Sequence, residues 1–108
     1  MTRRLPLLIA ALALGAIVYA VSARPAEQTQ DGVVIAVDSR GLADVRGFTL
    51  RTDDARTITF RIDALENGTE FPPGHLIEHQ ATSQRVRVWY RADASDLVAF
   101  RIEDAPQP

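Results

Sequence analysis

Between residues 31 and 105 apolar and polar side chains alternate in short runs, the period of β-strands that bury one face. Val33 to Val37 is a continuous β-branched run with one Ala, followed by the turn-rich Asp38-Ser39-Arg40-Gly41, and predicts a buried strand with its exit. Val45 to Thr52 places Phe48 and Leu50 on one face and Thr49 and Arg51 on the other, and Asp53-Asp54-Ala55-Arg56 predicts a hairpin connection. Thr57 to Asp63 is the clearest strand, with Ile58, Phe60 and Ile62 inward and Thr57, Thr59 and Arg61 outward. Asn67-Gly68 breaks the chain after it. Pro72-Pro73 opens a short predicted helix that runs to about Ala81, since Pro is tolerated in a first turn and Leu76, Ile77, Gln80 and Ala81 lie on one side. Two further strands close the pattern. Arg85 to Arg91 sends Val86, Val88 and Tyr90 inward, Leu97 to Glu103 does the same with Val98, Phe100 and Ile102, and Ala92 to Asp96 joins them.

The first twenty-four residues follow a different rule. Arg3 and Arg4 precede an uncharged stretch from Leu5 to Ala23 that ends at Arg24-Pro25. As a helix its nineteen positions would span roughly 28 Å, about the thickness of a hydrocarbon core. Residues 1–24 are therefore expected to act as a signal-anchor, with the basic end left in the cytoplasm and the rest of the chain outside a bacterial cell membrane in single-pass topology. Val18-Tyr19-Ala20 and Val21-Ser22-Ala23 have the small-residue spacing of a signal-peptidase site, so cleavage to a secreted or periplasmic form is the alternative. Ser22 to Gln30 is polar, contains Pro and has no apolar period. This makes residues 25–30 a linker, 31–105 a single small domain and 106–108 a tail.

Composition narrows the chemistry. The chain has no Cys, which excludes disulfides, thiol nucleophiles and thiolate metal sites. Every basic residue is Arg, and over residues 31–104 thirteen acids face nine Arg, a balance that argues against general nucleic-acid binding. No Gly-rich phosphate loop, Ser or Cys nucleophile motif or dinucleotide fingerprint is present; no catalytic set and no cofactor are predicted.

Two constellations remain. His75-Leu76-Ile77-Glu78-His79 matches H-x-x-E-H, in which His75 and His79 share one helical face and can hold a metal ion, Glu70 or Glu78 being the nearest further ligands. The second lies on the outward strand faces, where Arg61, Arg85, Arg87, Trp89 and Arg91 form a wall suited to an anionic ligand such as a lipid headgroup, an envelope polymer or a nucleic-acid strand, Trp89 serving as a stacking platform. Asn67-Gly68-Thr69 also satisfies the glycosylation sequon, and is read here as a turn.

The order strand, strand, strand, helix, strand, strand resembles the OB fold. The fold class expected is therefore mainly β: a five-stranded OB-like barrel with one short helix between strands 3 and 4, preceded by an N-terminal hydrophobic helix. The stretch Glu70-Phe71-Pro72-Pro73-Gly74-His75-Leu76-Ile77-Glu78-His79, with Arg85-Val86-Arg87-Val88-Trp89-Tyr90 after it, is similar to a stretch of small exported bacterial proteins of unknown function, a resemblance that covers Phe48 to Ala105 and implies no activity. In architecture alone the chain also resembles the haem chaperone of cytochrome c maturation, a single anchor followed by an OB barrel, whose family binds haem through a His followed four residues on by a Tyr. Here no His follows His79, and position 83 is Ser83. Three functional expectations follow: a non-enzymatic, membrane-tethered envelope module that binds a ligand or protein partner; a metal- or haem-handling domain using His75 and His79; and a metal-dependent hydrolase using Glu78.

Overall fold

The computed structural model describes residues 27–107, so the predicted anchor of residues 1–24 lies outside the described residues. Among the described residues no helix is long and apolar enough to cross a membrane. The elements follow in the order β1 (Gln28–Ser39), β2 (Val45–Thr52), β3 (Thr57–Ile62), α1 (His75–Thr82), β4 (Arg85–Asp93) and β5 (Asp96–Asp104). The strands close into a barrel in the order β1-β2-β3-β5-β4, with β4 returning to β1. The chain is thus mainly β, a closed five-stranded barrel with one short helix between β3 and β4.

β1 is the hinge of this closure, and it begins earlier than its polar sequence predicts. Gln28, Thr29 and Gln30, expected in the linker, pair with Tyr90, Trp89 and Val88 of β4. Further on, Gly32 to Ser39 pairs with β2. Apolar content could not announce the first segment, because only its backbone and the Gln28 amide are used: the Tyr90 hydroxyl donates to Gln28 Oε1 at 3.2 Å. Val33 to Val37 is likewise not the fully buried strand its composition predicts. A register shift between Val34 and Ala36 leaves Val34 in the core and Ile35 44% exposed.

The inner faces of the strands meet as alternation requires. Phe48, Leu50, Phe60, Val86, Val88 and Ile102 are each at most 2% exposed, with Tyr90 and Ile62 beside them. Phe60 packs edge-on to Tyr90 with ring centroids 4.9 Å apart, and lies 5.2 Å from Phe48. Truncating one such residue, Leu50→Ala, is expected to cost about 2–5 kcal/mol through lost burial and the cavity left behind, read as a lower midpoint in urea.

In β5 the alternation fails. The β4–β5 register shifts opposite Trp89 and Tyr90, so Arg101 faces Trp89, Ala99 faces Tyr90 and Phe100 is the extra residue between them. Ile102 joins the core cluster as expected and Ala99 joins it through the shift, whereas Val98 and Phe100 are buried as expected, at 6% and 5% exposure, but outside that cluster. The helix also differs from its expected face. Leu76 is fully buried, but Gln80 and Ala81 are exposed, and Gln80 instead donates to the Ile35 carbonyl at 3.2 Å. Ser83, at φ 55, ends the helix in the left-handed conformation.

Candidate functional site

The two His of the H-x-x-E-H motif lie on one side of α1, as their spacing requires, with ring centroids 6.5 Å apart and the Phe71 ring against both. Their nitrogens are not equally open. His79 Nδ1 lies 2.7 Å from the His75 carbonyl oxygen and its Nε2 lies 2.6 Å from Asp104 Oδ1. Both ring nitrogens are taken up by oxygens of the chain, so in this geometry neither is open to a metal ion. His79 ties α1 to the end of β5 instead. Glu78 lines a different groove, shared with His75, Leu42 and Asp63, while His79 lines the groove against β5 with Glu70, Arg101 and Asp104. Among the described residues no group of three or more His, Asp or Glu side chains is placed to hold a metal ion.

The Arg wall is built as the strand periods predict, and most of its charges have intramolecular partners. Arg87 makes a two-pronged pair with Asp31 across the β1–β4 seam, Nε to Oδ1 at 2.8 Å and Nη2 to Oδ2 at 2.9 Å. Arg85 donates to the Asp53 carboxylate and to the Pro106 carbonyl, holding the β2–β3 hairpin and the tail against the start of β4. Arg61 meets three carboxylates: Asp96 at 2.7 Å, Asp93 at 3.1 Å and Asp63 at 3.2 Å. Asp93 and Asp96 flank the two-residue turn of the β4–β5 hairpin, so Arg61 fastens that hairpin to β3, where the ladder is only two pairs long. Trp89 is half-buried, with the Arg101 guanidinium 5.6 Å from its ring centre, and Arg101 pairs with Glu103. Arg91 stacks at 4.7 Å over Phe100 and has no carboxylate partner among the described residues.

The hydrogen bonds from Arg87 hold the Asp31 carboxyl below its usual range; burial opposes this but does not cancel it, and the charges of Arg87 and Arg85 add to it. The sign follows directly. A depressed folded value gives stability that is present above the unfolded carboxylate value near pH ~4 and is lost as pH falls through the lower folded one. Asp31→Asn is therefore expected to lower the melting temperature at neutral pH and to flatten its fall in acid. Superimposable acid limbs for the variant and the native chain, measured from about pH 6 downward, would exclude this. Asp54 is shifted the same way, first by the Thr52 hydroxyl and then by Arg56, and this closes the β2–β3 turn in which Ala55 has φ 66.

A broad concave feature lies between β1, β2, β3 and the β4–β5 hairpin. It is a groove of about 700 Å³ with Val37, Phe48, Phe60 and Leu97 among its apolar lining and Asp38, Arg46, Thr49, Thr59, Arg61 and Asp96 among its polar lining. Thr49 and Thr59 are joined across the β2–β3 ladder at 3.1 Å. Sequence periodicity identifies these residues singly but not as a group, because the groove forms only when the β4–β5 hairpin is brought beside β3. A second groove of about 630 Å³ lies between the β1–β2 loop and the start of α1, with the 69% exposed Leu42 on its edge. Asn67 lies in a turn, as read, and is 6% exposed and bonded on both sides of its amide to the backbone of Ile102, so no glycan can be carried there in the folded state. No protein-family model matches this chain, and no curated protein matches it.

Proposed function

We propose that this chain is a non-enzymatic binding module of the OB type, held at a bacterial cell membrane by residues 1–24 with its barrel outside, whose ligand or protein partner occupies the groove between β1, β2, β3 and the β4–β5 hairpin. The observation that carries the proposal is that groove: about 700 Å³, an apolar floor and a polar rim, within the range of small-molecule and peptide sites. The strand order, the helix between β3 and β4, and a groove over β2–β3 bounded by the β4–β5 connection are the features by which OB barrels take their ligands. An uncompensated anionic-ligand wall is a weaker reading, since Arg61, Arg85 and Arg87 already satisfy carboxylates of the same chain. The rim of the groove carries both signs, Arg46 and Arg61 against Asp38 and Asp96, so a partner with an apolar group flanked by polar ones fits it best.

Capture from a detergent extract of bacterial envelopes tests the proposal, using the full chain and two variants. Thr59→Trp fills the groove and Arg46→Glu changes its rim, while both positions are exposed and neither supports the core. Loss of the same captured species in both variants, with melting temperatures unchanged, is the expected result. Undiminished capture by both would remove the groove from consideration. Loss in a His75→Ala, His79→Ala variant alone, together with stoichiometric metal or haem in the native chain, would favour the metal-handling alternative.

A further inference from the structure

The outward face of the β4–β5 hairpin differs from the rest of the barrel wall. The bulge in β5 sets Val98 and Phe100 on this side of the hairpin, where they stay buried at 6% and 5% exposure, and leaves the half-buried Trp89 nearest the surface, with the guanidinium groups of Arg91 and Arg101 lying over the Phe100 and Trp89 rings. Trp89 is the only Trp in the chain. Arg91 has no carboxylate partner among the described residues, and the acids on its flank, Asp63 and Asp93, are held by Arg61. Aromatic rings beside Arg side chains are the composition of a membrane–water interface, where the rings sit at headgroup level and the long cationic stems reach lipid phosphates.

The point at which the chain enters the barrel selects the same face. Gln28, the first strand residue, is paired with Tyr90, and Thr29 with Trp89. The apolar stretch ends at Ala23, only five residues before Gln28, a distance the chain covers in no more than roughly 18 Å. We infer, resting on the tethered module proposed above, that the outer β4–β5 face lies against the anionic headgroup layer of the membrane that holds residues 1–24, with Trp89 in the interface and Arg91 on lipid phosphates, while Arg101 stays paired with Glu103.

The single Trp makes the test direct. The full chain is reconstituted into phosphatidylcholine vesicles with and without phosphatidylglycerol, each prepared with a lipid bearing a nitroxide near the headgroup, and flotation is measured alongside Trp89 emission. Expected is flotation in both, with Trp89 quenched by the nitroxide and shielded from aqueous acrylamide in the anionic vesicles. Arg91→Glu is expected to weaken the docked state by at least about fivefold, whereas Arg51→Glu, on exposed β2 surface, leaves it unchanged. A chain that floats while Trp89 stays open to acrylamide and blind to the nitroxide overturns the docking and leaves the tether intact. A chain that does not float overturns both. Equal loss in Arg91→Glu and Arg51→Glu would reduce the effect to net charge and likewise overturn the assigned face.

Discussion

Replacing Asn67 by Ala is expected to lower stability by about 2–4 kcal/mol, because it strips both hydrogen bonds from a buried stretch of β5. β3 and β5 pair at only two positions, Arg61 with Val98 and Ile62 with Ala99. Beyond them the free edge of β5 is completed by the loop after β3. Glu66 N–H donates to the Phe100 carbonyl at 2.7 Å, Asn67 Nδ2 donates to the Ile102 carbonyl at 2.6 Å, and Ile102 N–H donates to Asn67 Oδ1 at 3.3 Å. The Asn67 amide thus stands in for a missing residue of β3. At about 4–8 °C per kcal/mol for a domain of this size, the melting temperature should fall by roughly 8–32 °C. Asn67→Asp is the sharper test: it keeps the shape but sets a carboxylate oxygen against the Ile102 carbonyl, and it should be no better than Ala at neutral pH. A loss below about 1 kcal/mol in urea for either variant would show that β5 does not need this partner.

Gly32→Ala is expected to cost about 3 kcal/mol or more, a large share of the roughly 4–12 kcal/mol that a domain of this length can hold. Gly32 is paired on both sides, with Thr52 of β2 and with Val86 of β4, at the point where β1 passes from one partner to the other. A Cβ there would meet the Arg51 carbonyl oxygen at 2.2 Å and the Thr52 Cα at 2.9 Å. Both are backbone atoms of a closed ladder, so relief requires opening a seam and cannot come from rotating a side chain. Gly41→Ala provides the contrast. Gly41 has φ +119 but nothing within 4 Å of the added carbon, so it should lose only the roughly 1–2 kcal/mol of backbone strain. Equal melting temperatures for Gly32→Ala and the native chain would mean that β1 is not clamped where its pairings place it.

Most of the barrel was legible in the chain because period-two burial is a local signal. β2, β3 and β4 lie where alternation places them, and their inward residues Phe48, Leu50, Phe60, Val86 and Val88 form the core. The failures have one cause, namely backbone pairing that side-chain polarity does not encode. Gln28 to Gln30 look like a tether yet form a strand because β4 supplies a partner for their backbone. Phe100 is buried as expected, at 5% exposure, yet it sits outside the main core cluster because a bulge inserts one residue. The candidate site shared this fate. The Arg were correctly placed on outward faces, but nothing in their spacing tells that Arg87 meets Asp31 fifty-six positions away or that Arg61 meets Asp93 and Asp96.

By itself the sequence determined the strands, the short helix, the absence of thiol chemistry and the sign of the domain's charge, since each depends on residue type and near-neighbour spacing. Only the tertiary structure decided which strands are neighbours, which Arg are satisfied, that the His79 nitrogens are taken up by a carbonyl and by Asp104, and that a groove opens beside the β4–β5 hairpin. Those outcomes depend on closing a ring of five strands. Closure joins residues thirty to sixty positions apart, and the geometry of such contacts is set by register and bulges along the whole ladder, not by any stretch short enough to read alone.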